Sequence, residues 1–214
     1  MFIDPEIQEY AEEYTSPDDK LLQQLDRETN LNVVNPNMLS GSFQGKLLEM
    51  ISLMIKPKNV LEIGTYTGYS AICFSKGLQD GGKIISIDSN EEIAYIARKY
   101  FRKAKLEDVI DFRIGDALEI IPELDMEFDL VFIDGSKNQY TQYFKLIIDK
   151  VKPGGYILAD NVLWGGKVLQ DKTDKDTADI KKFNEMVRRN RNLEKILLPV
   201  RDGLYLIRKM NSEK

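Results

Sequence analysis

Asp134, Asp160 and Asn161 are hard oxygen donors. Each sits where an apolar run ends, in Phe128-Asp-Leu-Val-Phe-Ile-Asp134 and Tyr156-Ile-Leu-Ala-Asp160-Asn161. Two carboxylates and an amide supply three ligands to an octahedral divalent cation and leave positions for water and a substrate. With no Cys or His donor on offer, Mg2+ is the favoured ion, and Mn2+ or Ca2+ stays open. Lys137 follows three residues after Asp134, in Asp134-Gly-Ser-Lys137. A cation beside it, with any desolvation, would disfavour its ammonium and drop its pKa toward that of a usable base. The same residues allow a plainer reading: an Asx turn at Asp160-Asn161, a helix cap at Asp134 and a solvated loop lysine. Histidine is absent from the chain. That removes the commonest general base, every His-based triad and every His metal site, so acid–base work falls to Lys, Asp, Glu, Tyr or Cys. The one cysteine, Cys73, lies in an apolar helical segment, where packing is its expected role.

A second group of acidic residues, Glu62, Asp88 and Asp116, also falls at or just past the ends of apolar runs. Glu62 belongs to Val60-Leu-Glu-Ile-Gly64-Thr-Tyr-Thr-Gly68-Tyr-Ser70, an apolar run that stops at Gly64 and leads after Gly68 into a helical segment. That pattern predicts strand, tight turn and helix, with glycines where side chains would obstruct a ligand lying against the backbone. The spacing is neither the G-x-G-x-x-G of dinucleotide folds nor a P-loop, which needs a lysine. An ordinary strand–helix turn fits it as well. Asp88 is placed to accept hydrogen bonds from a ribose diol, or else to cap the helix that begins near Glu91. Trp164, the only tryptophan, would wall a planar substrate or pack in the core.

The elements that must hold these residues alternate. Strands are expected at Val60–Ile63, Lys83–Asp88, Asp111–Gly115, Phe128–Asp134 and Tyr156–Asp160. Between them lie helical patterns over residues 71–78, 91–103, 116–124 and 139–151, and Pro153-Gly154-Gly155 is expected to turn the chain into the fifth strand. A polar stretch over residues 170–179 leads into a helix that ends near Arg189. Ile196–Val200 and Leu204–Arg208, joined across Asp202-Gly203, predict a closing hairpin. Five strands separated by helices and followed by a hairpin imply an α/β, doubly wound, mostly parallel sheet of seven strands. In such sheets ligands collect beyond the carboxyl ends of the strands. Ahead of it, residues 1–56 carry amphipathic helical patterns near 6–14, 18–29 and 42–55. The expected organisation is therefore one domain over 1–214, with a helical cap over 1–56 and an α/β core over 57–214.

Composition agrees with one globular domain: 43% hydrophobic and 30% charged residues in a chain of 214. No run approaches a membrane span, the N-terminus lacks a basic-then-apolar signal, and one cysteine suits a reducing compartment, so a cytoplasmic protein without membrane contact is expected. A net charge of −5 provides no general attraction to nucleic acid.

Val60–Ser70, together with Phe-Ile-Asp134-Gly-Ser-Lys137 and Ala-Asp160-Asn161-Val-Leu-Trp-Gly-Gly, resembles the cation-dependent class I O-methyltransferases, which include catechol and caffeoyl-coenzyme A O-methyltransferases and their bacterial relatives. The resemblance spans almost the whole chain and rests on the order and spacing of the motifs more than on any one of them. It implies a Rossmann-like methyltransferase fold and S-adenosylmethionine held by Glu62, Gly64, Ser70, Asp88, Asp116, Ala117, Asp134 and the backbone near Met38 and Ser40. It implies Asp134, Asp160 and Asn161 as metal ligands, Lys137 and Asp134 as the catalytic pair, and a homodimer. Gly135 and Ser136 stand where the catechol enzyme carries bulkier residues, so a mammalian-type catechol pocket is not implied. The acceptor implied is a small catechol-like or phenolic hydroxyl compound, whose adjacent oxygens could chelate the cation. The alternative is 5-hydroxyuridine in tRNA, for which Arg102, Lys103, Lys105, Arg188, Arg189 and Arg191 supply basic clusters. A non-catalytic cofactor-binding scaffold is the third reading.

Overall fold

The computed structural model describes residues 4–211. It contains a seven-stranded sheet in the order β3-β2-β1-β4-β5-β7-β6. Here β1 is Asn59–Ile63, β2 Lys83–Asp88, β3 Ile110–Ile114, β4 Phe128–Ile133, β5 Val151–Ala159, β6 Leu193–Leu198 and β7 Leu204–Lys209. The pairs β1/β2, β2/β3 and β4/β5 are parallel, while β7 runs antiparallel to both β5 and β6. The expected mostly parallel sheet and closing hairpin are both present. The chain resolves into two compact units, Pro5–Asp116 and one that runs on from Ala117.

In the first unit β1 and β2 are buried almost throughout, as near-continuous apolar runs require when both sheet faces are covered. Four helices come before β2, namely α1 Pro5–Glu13, α2 Lys20–Asn32, α3 Gly41–Ile55 and α4 Tyr69–Ser75, and α5 Ala94–Lys103 follows it. The second helix begins two residues later than the expected start at Asp18. Asp19 is its N-cap, and its carboxylate accepts from the N–H groups of Leu21 and Leu22, both at 3.0 Å. The leading helices are bound to the rest of this unit by polar contacts. Thr29 meets Thr67 at 3.1 Å, and Glu28 takes both Lys99, at 2.6 Å, and the Tyr100 hydroxyl, at 2.9 Å.

In the second unit α6 Ala117–Ile120, α7 Tyr140–Ile147 and α8 Lys175–Arg189 flank β4–β7. Two expected boundaries move. The expected helix over 139–151 is shorter, because a 3-10 turn over Lys137–Gln139 precedes α7 and Val151 already pairs with Phe128 in the sheet. Pro153-Gly154-Gly155 therefore does not lead into β5 but interrupts it: the register jumps from Phe128↔Val151 to Leu130↔Tyr156. Proline has no N–H for the ladder and Gly154 sits at φ 81°, so the extra residues loop out as a bulge.

Candidate cofactor and metal sites

The turn after β1 is built mainly on backbone and hydroxyl groups. Gly64, at φ 103°, donates its N–H to the Ile87 carbonyl at 2.8 Å, and Gly68, at φ 91°, donates to Thr65 at 2.8 Å. These conformations suit glycine. At Gly68 there is a second reason, which concerns packing: a Cβ there would lie 2.7 Å from the Phe101 ring on α5. Glu62 is fully buried in β1, directly opposite Ser86 in the β1/β2 register, and accepts the Ser86 hydroxyl. Ser86 is itself 2.6 Å from the Thr65 hydroxyl. A serine in the otherwise apolar Lys83–Asp88 run was the sequence signal for this partner.

Asp88, at the carboxyl end of β2, accepts the N–H of Tyr66 at 2.6 Å and that of Asn90 at 2.8 Å. The expected helix cap is not what this carboxylate does, because α5 begins only at Ala94, with Ile93 as N-cap and no side-chain cap. The carboxylate steadies the glycine turn, and it also closes a local turn at Asn90, while Asn90 itself accepts the Glu92 N–H at 3.0 Å. Burial raises the Asp88 pKa, and the N–H groups of Asn90 and Tyr66 offset only part of that. Gly115 donates to the Asp88 carbonyl at 2.9 Å, which brings Asp116 to the same edge of the β2/β3 pair. Ser70 is buried in the first turn of α4. Met38 ends the 3-10 turn Pro36–Met38 and is exposed, and Ser40 is buried just before α3. That segment is joined to the glycine turn where the Tyr66 hydroxyl donates to the Asn35 carbonyl at 2.9 Å. Tyr69, two residues past Thr67, gives its hydroxyl proton to Asp18. Ala117 opens α6, buried, in the other unit.

In that second unit the register places Ile133 opposite Ala159, so Asp134 and Asp160 leave neighbouring parallel strands side by side. The Asp160 N–H donates to the Ile133 carbonyl at 3.0 Å, which fixes the two ends together. The Asp134 carboxylate meets the Lys137 ammonium at 2.8 Å, with side chains only 18% and 15% exposed. It therefore takes a side-chain cation where the plainer sequence reading put a helix-opening N–H. At Asp160, Oδ1 accepts the Asn161 N–H at 2.8 Å, the next residue rather than the one two along that an Asx turn uses.

The electrostatics of this corner are uneven. Burial raises the Asp134 carboxyl; Lys137 pulls it back and the Asp160 charge raises it again, so it ends near 6. For Lys137, burial works against the ammonium, but the charge and hydrogen bond of Asp134, with Tyr140, outweigh it and its pKa rises. The sequence expectation had the opposite sign because it supposed a cation next to the lysine; in the protein alone its strongest electrostatic partner is an anion. Tyr140, which sequence reasoning missed, is completely buried and lies 2.8 Å from the Lys137 Nζ. The available signal was the Lys137-x-x-Tyr140 spacing, which puts both on one face of a helical turn.

Asn161 belongs to a strained loop. Its φ is 57°, followed by Trp164 at 48°, Gly165 at 60° and Gly166 at 78°. Non-glycine residues hold such angles only where surroundings enforce them. Here Leu163 donates to the Asp202 carbonyl at 2.9 Å, Val162 to Gly203 at 3.1 Å, Gly165 to the Asp202 carboxylate at 2.6 Å, and the Asn184 amide to Val162 at 2.8 Å. Gly203, at φ 88°, must be glycine because a Cβ would meet the Leu163 N at 2.9 Å. Trp164 is half-buried, and its indole N–H has no acceptor among the described residues.

Whether these side chains suit a divalent cation can be judged from their charges. Two adjoining carboxylates are met by the Lys137 ammonium and by the charge of Arg201, and burial still holds Asp134 well above its ordinary pKa. A dication would favour the ionised form of Asp134 that burial and Asp160 oppose, and the donors are the hard oxygens that Mg2+, Mn2+ or Ca2+ prefer. No group of three or more His, Cys, Asp or Glu side chains able to hold a metal occurs among the described residues. The third donor of such a site would be the Asn161 amide.

Comparison with known proteins agrees with the architecture. The O-methyltransferase family profile matches residues 12–210. A caffeoyl-CoA O-methyltransferase from Eucalyptus globulus is 34% identical over 190 residues, covering 81% of this chain and 76% of its own length. A catechol O-methyltransferase from Niastella koreensis is 35% identical over 170 residues, covering 77% of this chain and 74% of its own. The crystal structure of an SAH-bound methyltransferase from Podospora anserina superposes with a TM-score of 0.89 at 26% identity, covering 99% of this chain and 98% of that one.

Proposed function

The chain belongs to the O-methyltransferase family and is an S-adenosylmethionine-dependent O-methyltransferase; we propose that its acceptor is a catechol-like or hydroxycinnamoyl phenol and that a divalent cation, Mg2+ foremost, assists the transfer. The observation that carries this reading is the pairing of Asp134 and Asp160 on adjacent strand ends with Lys137 drawn onto Asp134. In this proposal Asp134, Asp160 and Asn161 hold the cation, which when bound would act as Lewis acid and template for two adjacent substrate oxygens. With a cation drawing off the Asp134 charge that now holds Lys137 as an ammonium, Lys137 would steady or accept the proton that leaves the attacking hydroxyl. Glu62 and Asp88 hold the polar groups of the cofactor, with Gly64, Ser70, Asp116, Ala117 and the backbone near Met38 and Ser40 around it. Positioning and electrostatics supply most of the barrier reduction.

A small acceptor is favoured over tRNA by the state of the basic clusters. Arg102 pairs with Glu107 at 3.1 Å, and Arg188 and Arg189 both pair with Glu185. The homodimer is supported by α1 and the turn after it, which leave Ile7, Tyr10 and Tyr14 exposed, while Gln8 is the buried residue of α1. Light scattering of the pure protein tests that assembly. Purified protein with methyl-labelled cofactor and Mg2+ should label members of a panel of catechols and hydroxycinnamoyl thioesters, and chelation should stop it. Label appearing only in 5-hydroxyuridine-containing tRNA would overturn the small-phenol acceptor. Undiminished turnover after exhaustive chelation would overturn the metal.

A further inference from the structure

One hydroxyl in the second unit touches three separate parts of the proposed catalytic corner. Tyr140 opens α7, and its oxygen lies 3.2 Å from the Ile133 carbonyl and 3.0 Å from the Asp160 carbonyl. A phenol has one proton, so it is donated into the gap between these two carbonyls, and its lone pairs are left to accept. The Lys137 ammonium donates to that oxygen at 2.8 Å, and also to the Asp134 carboxylate at 2.8 Å. The Tyr140 ring is locked in turn, edge-on to Phe183 of α8 with centroids 5.4 Å apart.

From this geometry we infer that Tyr140 is a positioning residue of the methyl transfer: its hydroxyl aims Lys137 and keeps the strand ends bearing Asp134 and Asp160 in register. The inference rests on the proposed roles of Lys137 and the two aspartates. A lysine carries four rotatable carbons, and 2.8 Å contacts to two fixed oxygens on different elements reduce its head group to one location. Asp134 alone could not do this, because a single partner leaves the ammonium free to swing about it. Tyr140 does not touch substrate in this scheme; it acts through Lys137 and through the backbone next to both carboxylates.

The test is Tyr140→Phe, which keeps the ring and removes the oxygen, with Tyr140→Met as a second variant that keeps bulk should the first unfold in urea titration. Loss of aim predicts a fall in kcat of about ten- to a hundredfold, with the KM for S-adenosylmethionine changed by less than about twofold. In a Lys137→Met background the same change should cost less than about twofold, because residues that act as one unit are not additive. Independently of any acceptor, Lys137 should become several-fold more reactive to reductive methylation in Tyr140→Phe, read by peptide mass spectrometry. An unaltered kcat, a full additional loss in the Lys137→Met background, or unchanged Lys137 reactivity in a folded variant would each overturn the inference. Wild-type protein that labels no phenol would defeat the acceptor reading instead, and the Lys137 reactivity would still decide this one.

Discussion

Glu62 and Asp88 in one unit and Asp134 in the other, all at or near strand ends, are satisfied in opposite ways. In Pro5–Asp116, Glu62 and Asp88 take hydroxyl and backbone N–H donors, here Ser86, Tyr66 and Asn90. In the unit from Ala117 onward, Asp134 faces an ammonium on one side and a second carboxylate on the other, and its pKa ends near 6. Neutral dipoles can satisfy a carboxylate while leaving it able to accept more hydrogen bonds, which suits a site for sugar hydroxyls and a cofactor. Burial and a second carboxylate alongside raise the cost of ionising Asp134, which is the setting in which the proposed cation would act. On the proposed reading, the first pair would hold the cofactor and Asp134 would serve the reaction.

Changes that break this contrast rank by expected size. Asp160→Ala should reduce methyl transfer by about 10^2- to 10^3-fold, the scale of losing a principal electrostatic group, while calorimetry finds cofactor affinity intact; an equal loss of both would erase the distinction. Gly68→Ala should destabilise the fold by about 3 kcal/mol, through a left-handed φ and a collision with Phe101, read as a lower urea midpoint. Ser86→Ala should cost about 2 kcal/mol, because a buried carboxylate loses a hydroxyl donor, and should leave divalent-ion binding unchanged.

Asp88→Asn should weaken S-adenosylmethionine binding about tenfold, the worth of one good hydrogen bond to a charged group. Acid should mimic it. Burial raises the Asp88 pKa, so the accepting carboxylate is lost to protonation earlier than for an ordinary aspartate as pH falls. Affinity that stays constant from neutrality down through the acid range would remove Asp88 from the site. The smallest effect belongs to Glu185→Gln. It frees Arg188 and Arg189 on the surface, where ion pairs contribute little, so stability and phenol methylation should both be unchanged, and tighter tRNA retention would revive the nucleic-acid acceptor.

Much of this was legible in advance wherever local chemistry forces the outcome. The apolar runs became strands with Glu62, Asp88, Asp134 and Asp160 at or near their ends, and Gly64 marked a turn. Other features depended on partners distant in the chain. Gly68 looked like room for a ligand, and the structure shows Phe101 against it. Pro153-Gly154-Gly155 looked like an entry turn and became a bulge, because Val151 had already found Phe128. Tyr140 looked like a helix residue, and only the strand ends beneath it turned its hydroxyl into a shared anchor.

The sequence by itself determined the order of strands and helices and the inventory of oxygen donors and one lysine, because periodicity and residue chemistry are properties of neighbours along the chain. Tertiary structure alone decided which carboxylate lies beside which, and hence the sign of the Lys137 shift. Electrostatic energy depends on separation and burial, and the partners that set it here come together only when parallel strands are aligned.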